Sequence, residues 1–111
     1  MVATIHVIIE RLFGPAVSES DILEAFRLDH PGFVSHPMAT AEDGKAIFVH
    51  GDFHTSSTEC SFAGRFERGL CKAGKDLVAE HRNIVVEERF RRQGIAKSHY
   101  TKLIRFYDAV G

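Results

Sequence analysis

Two hydrophobic periods meet in the last third of this chain. Ile84, Val85 and Val86 are three β-branched residues in a row, the pattern of a strand buried on both faces. Across residues 98–110 the step changes: Ala96, Tyr100, Leu103, Tyr107 and Val110 recur every three or four positions, one stripe on a helix. Gly111 stands where such a helix stops. Between strand and helix runs Glu87-Glu88-Arg89-Phe90-Arg91-Arg92-Gln93-Gly94, a polar turn rich in arginine.

Upstream, residues 2–12 read as a first strand, with Ile5, Val7 and Ile9 alternating against His6 and Ile8, ended by Gly14-Pro15. Residues 18–20 offer an N-cap for a helix over 21–28, with Ile22, Leu23, Ala25 and Phe26 apolar. Asp29-His30-Pro31-Gly32 breaks that helix. Asp43-Gly44 predicts a hairpin between residues 38–41 and 45–50. Further strands are expected at 59–66 and 77–86, separated by residues 69–75. The sum is an α+β layout, mostly antiparallel.

Composition adds little until charge is mapped. The 111 residues, 44% hydrophobic and 26% charged, suit one domain with a closed core. Net charge is −1, but Arg82 to Arg105 holds seven Lys/Arg against Glu87 and Glu88, so that segment carries +5 and the remainder −6. The asymmetry points to an anionic ligand in the C-terminal part, nucleotide or nucleic acid. Residues 1–12 lack a basic-then-apolar leader, and no apolar run approaches membrane-spanning length. Cys60 and Cys71 are therefore expected as free thiols in the cytoplasm, packing as small apolar groups.

A strand passing through a glycine turn into a helix start is suited to anions. First-turn amides have no intrahelical partner and carry the positive end of the helix dipole. Gly94 lets a ligand approach the backbone, and Arg91, Arg92 and Lys97 add charge beside it. A phosphate or pyrophosphate is the natural guest; the alternative is an ordinary loop glycine among solvated arginines.

Arg91-x-x-Gly94-x-Ala96 resembles the Arg/Gln-x-x-Gly-x-Gly/Ala signature of the GNAT N-acetyltransferase superfamily. Val86, Phe90, the amphipathic helix that follows and Glu80, six positions before Val86, fall where that family places their counterparts. The resemblance extends over about residues 80–111 and implies a GNAT-like α+β fold. It implies that the amides of Arg91, Arg92, Gln93, Gly94, Ile95, Ala96 and Lys97 hold the pyrophosphate of acetyl-CoA. The pantetheine arm would lie along the strand ending at Val86, with Val85 and Val86 offering a backbone N–H to the reaction's oxyanion. His99 and Tyr100 stand where such helices usually carry leucine.

Glu80 is the carboxylate placed to accept a proton from a substrate amine; otherwise it is a surface glutamate paired with Arg82. An inactive GNAT-like binding or structural module is the alternative to acetyl transfer. Nucleic acid is disfavoured, because Phe90, Tyr100 and Phe106 fit a core stripe better than a stacking platform. Tyr100 and Tyr107 read as core residues. His50-x-Asp52-x-His54 would put three metal-ligand types on one face of a strand, unless Gly51-Asp52 is a turn that scatters them. Family members continue past the position of Gly111 with further strands and a helix. The apolar strand edge at 77–86 is therefore expected to be covered, by self-association or by a partner protein.

Overall fold

The structure, a computed structural model, describes residues 4–110. In chain order it contains α1 (Ile5–Phe13), α2 (Glu19–Phe26), β1 (Phe33–Ser35), β2 (Met38–Glu42), β3 (Ala46–Thr55), β4 (Phe62–Ala73), β5 (Asp76–Val86), a 3-10 turn (Glu88–Phe90) and α3 (Ile95–Val110). The fold is α+β, and each described strand pair is antiparallel. The sheet order is β1-β3-β4-β5, with β2 also paired to β3. The helices share one face of the sheet, where Ile8, Ile9, Ile22, Phe26, Ile95 and Leu103 pack on Ile47, Val49, Phe53, Phe66 and Leu70. No helix among the described residues is long and apolar enough to cross a membrane.

The first element corrects the sequence reading. The strand expected over residues 2–12 is α1; Val2 and Ala3 lie outside the described residues, as does the helix stop at Gly111. Ile5, Ile8, Ile9 and Leu12 fall at helical spacing, and the last three are buried, whereas Val7 is exposed. The apolar run satisfies both periods, and the one that puts three large side chains into the core prevails. α2 starts at Glu19, two residues earlier than expected, because Ser18 and Asp21 form a reciprocal capping box.

The hairpin at Asp43-Gly44 forms, with both residues at positive φ. Its second strand runs on to Thr55, so Gly51-Asp52 is strand rather than turn. β1 and β2 line the same edge of β3 and break at His36-Pro37, opposite Gly51. A Cβ at Gly51 would lie 3.0 Å from Phe66 and 3.1 Å from the Pro37 backbone, so the close approach demands glycine.

β4 also runs further than residues 59–66, through Gly69. The reason lies on the sheet face away from the helices. Arg82 of β5 reaches over Gly69, passes the Phe48 ring at 5.4 Å, and pairs in bidentate fashion with Glu42 of β2. A Cβ at Gly69 would sit 2.8 Å from that guanidinium. A glycine that sequence pattern reads as a breaker is here the floor of an arginine channel.

α3 begins at Ile95 and turns a different stripe inward. Ile95, His99 and Leu103 are buried, with Phe106 and Tyr107 packed beside them; Ala96 and Tyr100 are only half-buried. Hydropathy does not assign a histidine to a core, yet His99 is 2% exposed. Its ring lies 4.6 Å from that of Phe66, 5.5 Å from Phe53 and 6.2 Å from Phe26.

Candidate phosphate cradle at the start of helix α3

The turn from β5 into α3 is built from backbone in alternating hand. Arg92 has φ +67° and Gly94 φ +82°, with Gln93 between them outside the positive region. Left-handed residues set into a turn are a feature of the backbone concavities called nests, which favour anions. A non-glycine residue at φ +67° costs on the order of 1 kcal/mol, and strain of this kind collects at functional turns.

The amide inventory agrees. The first helical bond of α3 runs from Ser98 N–H to the Gly94 carbonyl, 2.9 Å. The amides of residues 92–97 have no hydrogen-bond partner among the described residues. Six consecutive N–H groups, at the positive end of a 16-residue helix, are left for water or an anion. Arg91 is the correction: its own N–H bonds the Glu88 carbonyl at 3.2 Å. Its Nε donates to the Val86 carbonyl at 2.9 Å, so the side chain braces the turn against the end of β5.

Around this backbone lies a hollow of about 360 Å³ lined by Val86, Arg91, Arg92, Gly94, Ile95, Ala96 and Lys97. Those seven are residues that the signature singled out; Gln93 lies in the same turn but contributes its carbonyl elsewhere. None of Arg91, Arg92 and Lys97 is in an ion pair among the described residues, so their charge is available to a ligand.

Val85 and Val86 separate in role. Glu87 N–H bonds the Ala63 carbonyl on β4 at 2.7 Å, and amides alternate along an antiparallel strand. Val85 therefore spends its N–H and C=O toward β4, while Val86 directs its own to the free edge. The oxyanion or pantetheine donor narrows to Val86, and Val85 drops out as a backbone donor.

Support comes from a segment whose only sequence signal was helix breaking. His30 Nε2 lies 2.6 Å from the Gln93 carbonyl, and its Nδ1 lies 2.6 Å from Ser98 Oγ. A carbonyl only accepts, so Nε2 carries a proton. The imidazole edge also fills the space over Gly94, where a Cβ would meet it at 3.3 Å. Phe33 then packs edge-on against Phe90, 5.5 Å between centroids, holding the 3-10 turn on β1.

Glu80 lies elsewhere. It projects from β5 on the face away from the helices, exposed, with Oε1 3.5 Å from Arg82 Nε. Six residues of strand, roughly 20 Å, separate it from Val86. His50, Asp52 and His54 do share one face of β3, yet no group of three metal-ligand side chains comes together among the described residues. His50 stacks on Phe48, Asp52 pairs with Arg65 at 3.4 Å, and His54 stands edge-on to Phe62. Cys60 and Cys71 are free; Cys60 is exposed rather than packed.

No protein-family model, curated protein or solved structure matches this chain.

Proposed function

We propose that the chain binds the pyrophosphate of acetyl-CoA in the β5–α3 cradle and, as a GNAT-like acetyltransferase, passes the acetyl group to an amine. The observation that carries this reading is the run of six amides at the head of α3 with no partner among the described residues, flanked by Arg92 and Lys97, which form no ion pair among them. A diphosphate presents several acceptor oxygens and two negative charges, the complement of that surface. The pantetheine arm would then run along the free edge of β5, where the Val86 N–H is the donor available to it.

For the reaction, a neutral amine attacks the thioester carbonyl. The Val86 N–H steadies the oxyanion as the tetrahedral intermediate forms, and the intermediate collapses with loss of CoA thiolate, which takes up a proton. Glu80, roughly 20 Å along the strand from Val86, is the candidate to accept the amine's proton only through a relay of several waters. Incubation with acetyl-CoA and a panel of amines, read by mass spectrometry, tests the proposal through acetylated product.

A second reading is an acetyl-CoA-binding module without turnover. The specific observation favouring it is Glu80 itself, exposed and held beside Arg82 on the sheet's outer face. CoA binding with no acetylated amine is the result that would select it.

A further inference from the structure

Ser98 sits in the first turn of α3, and its hydroxyl takes an unusual course. Serine and threonine inside a helix commonly bond back to the carbonyl four residues earlier, as Thr101 does to Lys97 at 2.7 Å. Ser98 meets His30 Nδ1 instead, at 2.6 Å. Nε2 of the same imidazole donates to the Gln93 carbonyl at 2.6 Å, so Nδ1 is the acceptor and the serine O–H points at it. The Phe33 ring, 6.1 Å away, backs the imidazole.

Three groups thus stand in line: a hydroxyl, a base within reach of its proton, and an acceptor that holds the base in one tautomer. That is the arrangement by which a serine becomes a nucleophile. The Gln93 carbonyl takes the part that a carboxylate plays in a catalytic triad, accepting from the second ring N–H as the imidazole gains charge.

Ser98 and His30 are both half-buried, and Ser98 opens on a hollow of about 320 Å³ that Asp29, Lys97, Thr101, Lys102 and Arg105 also line. Lys102 is engaged by Glu24 and the Arg27 carbonyl. Lys97 and Arg105 form no ion pair among the described residues, so the hollow suits a negatively charged guest. Lys97 also supplies a cation at the wall for an oxyanion formed beside Ser98.

We propose that Ser98, with His30 Nδ1 as its general base, is the nucleophile of a second site, which hydrolyses carboxylic esters whose acyl part carries a further anionic group. The Ser98 proton passes to Nδ1 as the bond from Oγ to the acyl carbon forms. The oxyanion then re-forms its carbonyl as the ester C–O bond breaks, and the alcohol leaves with the proton from Nδ1. Water next gives a proton to Nδ1 and adds to the acyl carbon, and the acid departs as Ser98 recovers its proton. The site stands whether or not the cradle takes CoA.

The test begins on the native chain, with phenylmethanesulfonyl fluoride and peptide mass spectrometry. The serine oxygen displaces fluoride from sulfur, so the sulfonyl group should sit on Ser98 and not on the chain's other serines. His30→Asn, whose amide still donates to Gln93 but offers no base, should slow this labelling by about 10²-fold or more. Hydrolysis of mono-para-nitrophenyl terephthalate should be lost in Ser98→Ala. In the native chain its kcat/KM should exceed that for the uncharged para-nitrophenyl benzoate by about tenfold or more. No adduct at Ser98, an unchanged labelling rate in His30→Asn, hydrolysis that survives Ser98→Ala, or equal use of the two esters would overturn the proposal.

Discussion

His30 Nε2 and the carbonyl oxygen of Gln93 meet at 2.6 Å across 63 positions of sequence. That single contact ties the loop between α2 and β1 to the middle of the cradle, and the other ring nitrogen ties it to Ser98 on α3. A turn holding two positive-φ residues keeps its shape only if something fixes it from outside. His30 is that fixture.

Removal of the fixture should therefore loosen the anion site. His30→Ala is expected to weaken CoA binding by about tenfold or more, the equivalent of one or two net hydrogen bonds. Added imidazole should restore part of the affinity. Calorimetric titration of both forms decides; unchanged affinity in His30→Ala would make the histidine a bystander.

Charge at the cradle should act additively with the amides. Lys97→Glu and Arg92→Glu each place a carboxylate where a phosphate is expected, and should weaken CoA binding while leaving the far-ultraviolet circular dichroism unchanged. Affinity of the native chain should also fall with added salt, since exposed charges are screened within about 8–10 Å at ordinary ionic strength. Salt-independent binding would mean that these cations do not face the ligand. Gly94 is a poor position for such a test, because any side chain there meets both a φ of +82° and the His30 ring.

If Glu80 is the general base, Glu80→Gln should lower amine acetylation by about 10²–10⁴-fold and leave CoA affinity as it was. Undiminished turnover in that variant would leave Glu80 as a surface carboxylate beside Arg82.

His99 sets a pH dependence. Burial first, then the nearby charges of Arg68 and His81, pull its pKa down from 6.5 to about 4. The folded state keeps the ring neutral while the unfolded chain takes up a proton, so stability is full above pH 6.5 and is lost as pH falls from 6.5 toward 4. The shift corresponds to a loss on the order of 3 kcal/mol across that window. Glu42, held below its usual range by the Arg82 hydrogen bonds, adds an acid loss only below pH 4.5. His99→Leu should flatten urea-measured stability between pH 7 and 5. A native chain equally stable at both pH values would contradict this account of the core.

The glycine turn and the helix start behind it were legible in sequence because their determinants are local. Arg91, Gly94 and the helix behind them lie within a few residues of one another, and the hollow forms around those side chains. The Asp43-Gly44 hairpin and the α2 cap were legible for the same reason. What escaped depends on contacts between distant elements. The run Ile5 to Leu12 fits two periods, and only the core decides between them. Gly69 reads as a breaker until Arg82 is seen lying over it, and His30 reads as a helix stop until Gln93 arrives beside it. Arg68 and His99 carry no interior signal at all, since pattern reasoning sends charged and polar residues outward.

The central claim is that the amides of residues 92–97, with Arg92 and Lys97, form a diphosphate site. The most direct measurement is calorimetric titration of the chain with CoA and with adenosine, accompanied by nitrogen-15 NMR of those amides. The claim predicts that CoA binds and shifts the residue 92–97 N–H signals together, while adenosine, which lacks phosphate, does neither. CoA binding that leaves those amides unmoved, or equal affinity for CoA and adenosine, would contradict it.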